Sequence, residues 1–212
     1  MNPSENPHWT DWAKRLQAIA QTGLTFAQDP YDIERYQAVR ELVAEMLAAG
    51  SDLNLSVIRG LLERDTGYAT PKVDVRGVVF RDGKILLVRE RTDGKWTLPG
   101  GWADICAAPA ENVVREIFEE SGFATRAEKL LAVFDRSRHP HTPPFPFHVY
   151  KMFFHCTILG GEAKSSSETD GVEFFAENGI PELSLTRVTP WQMSRMFEHQ
   201  RQPDLPTDFD AA

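Results

Sequence analysis

The first third of the chain repeats apolar residues at the period of a helix. Its first apolar positions lie three and four residues apart, at Trp9, Trp12, Leu16 and Ile19. That spacing places them on one stripe of a helix, and Thr22-Gly23 interrupts the pattern. We therefore predict a first helix that ends near residue 22.

Two more helices are predicted before residue 65. One begins at Asp29-Pro30 and ends at Gly50, because Pro is typical of a first helical turn and Gly of the position after the last. A shorter one carries its apolar residues at Leu55, Ile58, Leu61 and Leu62. The apolar surface of these three short helices must be buried against another surface, which could be the rest of the chain or a second copy of it.

From Val73 onward the pattern becomes that of strands. Two β-rich segments, 73–80 and 84–90, flank Asp82-Gly83, a strong hairpin signal. A helical pattern returns over residues 109–121, and Thr189–His199 is predicted to form a closing helix. Further strands are expected near 127–135, 147–158 and 171–176, with Gly160-Gly161 turning the chain between the last two.

This order of elements predicts an α+β fold, an α/β/α sandwich with a small helical domain before it. The domains are expected to be a helical extension over 1–67, a main domain over 68–203 and a flexible tail over 204–212. Residues 68–72, which include a proline, would link the two domains. The tail is polar and contains Pro, so we expect it to fray.

Charge and cysteine content narrow the class of protein. The 23 basic and 31 acidic residues give a net charge of −8, with no basic block to hold nucleic acid broadly. An acidic protein that handles phosphates must neutralise them locally, most simply with a divalent metal. The two cysteines exclude a disulfide scaffold and fit a reducing, cytoplasmic location. No apolar run approaches the ~18 residues of a membrane span, and the start shows no secretory signal.

Three carboxylates crowd one face of the helix predicted over 109–121. Glu116, Glu119 and Glu120 are spaced i, i+3 and i+4, where like charges repel. They also lie toward the negative end of the helix dipole. A solvated acidic face is one interpretation. The other is a site for an oxygen-seeking cation such as Mg²⁺ or Mn²⁺, which carboxylates, water and a substrate phosphate would bind together.

The residues around these glutamates have the spacing of a known motif. The segment from Gly101 to Phe123 resembles the Nudix box, G-x5-E-x7-R-E-U-x-E-E-x-G-U. The matching fixed positions are Gly101, Arg115, Glu116, Glu119, Glu120 and Gly122, preceded by the segment KWTLPGGW. One position departs, because Ala107 occupies the place of the first glutamate; Asp104 and Glu111 are close enough in sequence to substitute.

The resemblance implies a Nudix-type sandwich with a mixed sheet and a hydrolase that uses Mg²⁺ or Mn²⁺. By the family's pattern the metal would be held by Glu116, Glu119, Glu120 and the backbone carbonyl of Gly101. Glu119 and Glu120 would serve catalysis, and Arg115 would hold the glutamates in place. Together with the helical extension, the segments WAKRLQAIAQTGLTFAQDPYDIERY, GYATPKVDVRGVVF and FHVYK are similar to the CDP-choline pyrophosphatase subgroup.

That subgroup implies cleavage of CDP-choline to CMP and phosphocholine by a homodimer that pairs through its N-terminal helices. ADP-ribose is the nearest alternative substrate. Two other classes stay open, a nucleotide-sensing module that binds without cleaving and an enzyme that trims RNA 3′ ends. RNA is also a possible secondary substrate; no membrane partner is expected.

The remaining candidates lie outside the box. Glu168 is our candidate general base, with Glu173 second, although both could be ordinary surface acids. Six residues are candidates for substrate contact: Tyr68, Arg76, Arg89, Arg91, Arg136 and His148. The arginines could bind phosphate or be plain surface cations. Tyr68 could stack on a base or pack in the core. His148 ends a Pro-rich loop that could face the substrate.

Overall fold

The computed structural model describes residues 8–51 and 53–211 and divides the chain into two compact units. The first contains the described residues up to Pro71 together with Pro143–His148. The second contains Lys72–Thr142 and the described residues from Val149 onward. The segment Pro143–His148, which we expected in the main domain, thus belongs to the first unit.

The first unit is helical, as predicted. Its helices are α1 (His8–Phe26), α2 (Pro30–Ala49) and α3 (Leu55–Arg64). The Asp29 side chain accepts hydrogen bonds from two backbone N–H groups at the start of α2, and Gly50 follows its last residue. Among the described residues, no helix is both long and apolar enough to cross a membrane.

The buried face of α1 differs from the predicted stripe. The helix continues past Gly23 to Phe26. Its buried positions include Ala13 and Ala20, whereas Leu16 and Ile19 are exposed, the latter by 58%. The small alanine side chains let neighbouring backbones approach closely, and Leu16 and Ile19 lie on the outside. Three positions of the predicted stripe, Trp12, Leu16 and Ile19, are therefore exposed within this chain, whereas Trp9 packs against the buried cluster of the first unit.

The second unit is built on a mixed sheet of seven strands. They are β1 (Lys72–Arg81), β2 (Lys84–Glu90), β3 (Trp96–Thr97), β4 (Phe123–Asp135), β5 (Val149–Gly161), β6 (Thr169–Phe175) and β7 (Asp208–Phe209). The strand order is β3-β2-β1-β5-β4-β7, and β6 also pairs with β2. β1 and β2 form the predicted antiparallel hairpin, and β1 runs parallel to β5.

Helices cover both faces of this sheet, so the predicted α/β/α sandwich is confirmed. On one face, α4 (Pro109–Ser121) buries Val113 and Ile117 against β1 and β2. On the other, α5 (Pro190–Arg201) buries Met193, Met196 and Phe197 in a second apolar cluster. Gly77 of β1 has no space for a side chain, because an added Cβ would lie 2.4 Å from Ile117 Cδ1. The absence of a side chain at Gly77 therefore lets α4 pack closely on the sheet.

The sequence predicted a flexible tail over 204–212, but its described residues pair and bond with the rest of the second unit. β7 pairs in parallel with β4, and both carboxylate oxygens of Asp208 accept hydrogen bonds from Arg195. The Asp210 carboxylate accepts a bond from Asp135 N at 2.6 Å. Gly160 and Gly161 also differ from expectation, since they extend β5 and pair with β4 instead of turning the chain.

Candidate active site

The glutamates of α4 have three different environments. Glu120 is 6% exposed, and its Oε2 accepts a hydrogen bond from Gly100 N at 2.8 Å. Glu116 is largely buried, whereas Glu119 is 55% exposed. Gly122, with φ +79°, ends the helix in the left-handed conformation that the sequence predicted. The helix therefore directs Glu116 and Glu120 inward and leaves Glu119 at the rim.

The two glycines before the box bring the backbone against these carboxylates. Gly100 has φ +136°, and an added Cβ would lie 2.0 Å from Val75 O. Gly101 faces α4 instead, and a Cβ there would lie 3.0 Å from Glu116 Oε2. The Gly101 carbonyl accepts a hydrogen bond from Val75 N at 2.8 Å. A metal bound at this carbonyl would thus use the second lone pair of its oxygen.

Burial dominates the electrostatics of the glutamates. It raises the pKa of Glu120 to about 8, against the opposing effects of Arg76 and the Gly100 N–H group. Burial also raises the pKa of Glu116, and the charges of Glu119 and Glu168 add to that rise. Both shifts disfavour the anionic forms, which a bound cation would stabilise.

The donor set fits a hard divalent cation. Its side-chain donors are carboxylate oxygens on successive turns of one helix, the ligand type that Mg²⁺ and Mn²⁺ prefer. Among the described residues, no three Asp, Glu, His or Cys side chains are already grouped to hold a metal. Glu119 instead lies 3.6 Å from Arg115, and Glu120 bonds to Gly100. The donor atoms of the site therefore fit the ion, while Glu119 and Glu120 make ion-pair and hydrogen-bond contacts with other protein groups.

Arg115 lies among the acids of this loop and helix. Its guanidinium is 2.8 Å from Asp104 and 3.2 Å from Glu116. Asp104 thus provides an acid partner for Arg115 although Ala107 lacks a carboxylate. Glu111 accepts a hydrogen bond from Ala108 N at 2.7 Å. Both acids that the sequence offered as substitutes for the missing box glutamate take part in holding the loop.

Asn112 also braces the loop, and sequence reasoning missed it. The side chain is fully buried, and its Oδ1 accepts hydrogen bonds from Asp104 N and from Arg115. Its Nδ2 donates to the Ala107 carbonyl. A polar residue among the apolar positions of α4 was the available signal.

The candidate base, Glu168, is exposed just before β6. The next residue, Thr169, donates a hydrogen bond to the Glu120 carbonyl, which places this segment near the box glutamates, and the charge of Glu168 contributes to the raised pKa of Glu116 and Glu90. Glu173 lies within β6, paired with Leu87 of β2. Glu90, which we did not single out, ends β2, is buried and pairs with Arg187 at 2.9 Å.

Two of the arginines predicted to contact the substrate, Arg76 and Arg136, are instead buried and bonded to protein groups. Arg76 is 4% exposed and forms a bidentate ion pair with Asp74, which also pairs with the buried Lys151. These two cations outweigh the effect of burial and lower the pKa of Asp74 to about 2. Arg136 is also buried and donates to the Thr186 carbonyl. Polar residues alternating within an apolar strand, as in VDVRGVV, were a signal for this network.

The other substrate candidates are more accessible. Arg89 is partly exposed and pairs with Asp170 at 2.6 Å. Arg91 is exposed and donates from its guanidinium to the Ser166 carbonyl. Tyr68 and His148 belong to the first unit, where both are exposed. A role for any of these four in substrate binding stays a prediction.

Comparison with known proteins agrees with this geometry. A model described as the NUDIX domain matches residues 70–198, and one described as a UDP-X-like, N-terminal oligomerisation domain matches residues 7–62. The chain is 49% identical over 202 residues to a Bacillus subtilis (strain 168) protein named "Putative ADP-ribose pyrophosphatase YjhB", covering 95% of this chain and 97% of that protein.

Two solved structures are also similar. One, of a UDP-X diphosphatase, has a TM-score of 0.62 and 36% identity and covers 97% of this chain and all of that one. The other, an ADP-ribose pyrophosphatase from Streptococcus suis 89-1591, has a TM-score of 0.60 and 40% identity. It covers 66% of this chain and all of that one.

Proposed function

The chain belongs to the Nudix family, and we propose that it hydrolyses the diphosphate bond of ADP-ribose with the help of a divalent metal ion. It is a pyrophosphohydrolase for nucleoside diphosphates linked to another moiety. The observation that carries the reaction class is the inward-facing pair Glu116 and Glu120 against the Gly100-Gly101 backbone. This class also sets aside the non-catalytic sensing module that the sequence left open.

Substrate choice is supported by the names of relatives. The B. subtilis relative, similar over nearly the whole chain, and the S. suis structure are both named for ADP-ribose. These names favour ADP-ribose over CDP-choline, which the sequence resemblance had put first. A UDP-linked compound is the second candidate, because the UDP-X diphosphatase structure matches 97% of the chain, helical extension included.

The chemistry follows from the placement of the acids. Glu116 and Glu120 would hold the ion, with Glu119 at the rim and the Gly101 carbonyl as further oxygen donors. When bound, Mg²⁺ or Mn²⁺ supplies positive charge that offsets the charge of the diphosphate. Arg115 holds Glu116 and Glu119 by ion pairs. Glu168 accepts a proton from the attacking water, a new P–O bond forms, and the bridging P–O bond breaks as the leaving phosphate takes its electron pair.

A substrate panel tests this proposal. Purified protein is assayed with ADP-ribose, UDP-linked sugars, CDP-choline and a short RNA, with Mg²⁺, with Mn²⁺ and with EDTA. We expect AMP and ribose 5-phosphate from ADP-ribose, at a kcat/KM at least about tenfold above the other substrates, and no turnover in EDTA. Metal-independent turnover would refute the proposed chemistry. A higher kcat/KM for a UDP-linked sugar or CDP-choline would refute only the choice of substrate, and RNA trimming is tested in the same panel.

We also propose that the helical extension forms a homodimer. The model matching residues 7–62 describes an oligomerisation domain, and α1 exposes Leu16, Ile19 and Phe26. A second copy would remove this apolar surface from water. Sedimentation at micromolar concentration should show a dimer that Ile19→Glu converts to monomer, and a wild-type monomer would refute the proposal.

A further inference from the structure

The segment that carries Glu168 is held by its own hydrogen bonds. Ser166 Oγ accepts from Glu168 N and from Thr169 N, both at 3.1 Å. Arg91 N donates to the Glu168 carbonyl at 2.9 Å, and the Arg91 guanidinium donates to the Ser166 carbonyl. The backbone beside Glu168 therefore has a defined position although its side chain is exposed.

One hydroxyl connects this segment to the glutamate helix. Thr169 is fully buried, and its Oγ1 donates to the Glu120 carbonyl at 2.7 Å. Because α4 ends at Ser121, the Glu120 carbonyl needs a partner outside the helix. Thr169 Oγ1 also lies 3.1 Å from Ser166 Oγ, which can donate to it. The backbone of Glu120 and the turn that holds Glu168 thus share a single side-chain hydroxyl.

Other buried threonines show that the fold does not require such a bond at every buried hydroxyl. The hydroxyls of Thr97 and Thr125 are buried and have no hydrogen-bond partner within the described part of the chain. Thr169 lies at the start of a strand, as Thr125 lies near the start of β4. Valine has nearly the shape of threonine, so replacing either residue removes a hydroxyl and little else.

We propose that Thr169 is a positioning residue, which sets the place of Glu168 relative to the metal-binding glutamates through its bond to the Glu120 carbonyl. The inference rests on the proposed function, in which Glu168 accepts the proton of the attacking water. Thr169 does not touch the substrate. Its effect on the reaction comes through the position of Glu168, because the carboxylates of α4 are positioned by their own helix.

The test is a double-mutant cycle in the full-length protein with ADP-ribose and saturating Mg²⁺. Thr169→Val should lower kcat about tenfold or more with KM little changed, since small misplacements of a reacting group are costly. Thr169→Ser, which keeps the hydroxyl, should restore kcat to within about twofold. Thr125→Val is the matched control and should leave both constants unchanged. Glu168→Gln should lower kcat further, and adding Thr169→Val to it should cause no additional loss.

The outcomes separate the two proposals. If Glu168→Gln keeps full activity, the assignment of Glu168 as base fails. If Glu168→Gln is impaired but Thr169→Val multiplies the loss, Thr169 acts independently and the positioning role is refuted. A Thr169→Val protein that melts lower with unchanged kcat would also refute it. Should Thr169→Val fail to fold, Ser166→Ala replaces it in the same cycle, because it removes the hydroxyl that accepts from Glu168 N.

Discussion

Alanine substitutions at the adjacent positions Gly100 and Gly101 should have different effects: Gly100→Ala should lower the stability of the fold, and Gly101→Ala should disturb the metal site. At Gly100, φ of +136° is unfavourable for any side chain, which costs about 1–3 kcal/mol. The new Cβ would also lie 2.0 Å from Val75 O, a backbone atom that cannot rotate away. We expect a total of about 4 kcal/mol or more for Gly100→Ala, among the largest single-residue effects.

Gly101→Ala meets a different neighbour. Its Cβ would lie 3.0 Å from Glu116 Oε2, the end of a flexible side chain that can shift by a few tenths of an ångström. The unfolding free energy should therefore change by about 1 kcal/mol or less, as at sites without a core or backbone conflict. The shifted carboxylate should still weaken metal-dependent turnover by about tenfold or more.

Thermal denaturation and Mg²⁺ titrations of kcat with ADP-ribose measure the two effects. For a domain of this size each kcal/mol changes Tm by about 2–4 °C, so Gly100→Ala should melt about 8–16 °C lower. Gly101→Ala should melt near the wild type but require more Mg²⁺ for half-maximal activity. Equal loss of stability in both variants, or a Gly101→Ala protein with unchanged kinetics, would refute this reasoning.

Three further predictions concern buried charge. Glu120→Gln keeps the shape and removes the anion, so turnover should fall below a tenth of wild type while circular dichroism shows an intact fold. Asp74→Asn should lower the unfolding free energy by about 3–5 kcal/mol, because it leaves two buried cations without their anion. Lys151→Met should lower it by under about 1.5 kcal/mol. Urea denaturation that ranks the two variants in the reverse order would contradict this network. Burial lowers the pKa of His141 to about 3. Below pH ~6.5, His141 is therefore protonated in the unfolded chain but stays neutral in the folded protein. Stability should then fall by up to about 1.4 kcal/mol per pH unit from pH 6.5 toward 3, a slope that His141→Gln should reduce in melts at pH 7 and 5.

The local elements and the spacing of the reactive acids could be predicted from the order of the amino acids alone. The hairpin at Asp82-Gly83 and the left-handed Gly122 after α4 depend on the conformations of a few adjacent residues. The placement of Glu116 and Glu120 on one helix depends only on the helical repeat. Such features need no partner from elsewhere in the chain, so periodicity and turn chemistry were sufficient to predict them.

Which charged groups face the site and which are buried depends on how distant segments pack together. Asp74 and Arg76 are only two residues apart in sequence, but their ion pair is buried because their strand lies inside the sheet, where Asp74 also pairs with Lys151, 77 residues away. The described tail became a strand because β4 offered it an open edge. Thr169 donates a hydrogen bond to the Glu120 carbonyl, 49 residues away in sequence. Burial and hydrogen-bond partners depend on strand order, and strand order follows from the free energy of the whole fold rather than from any one segment.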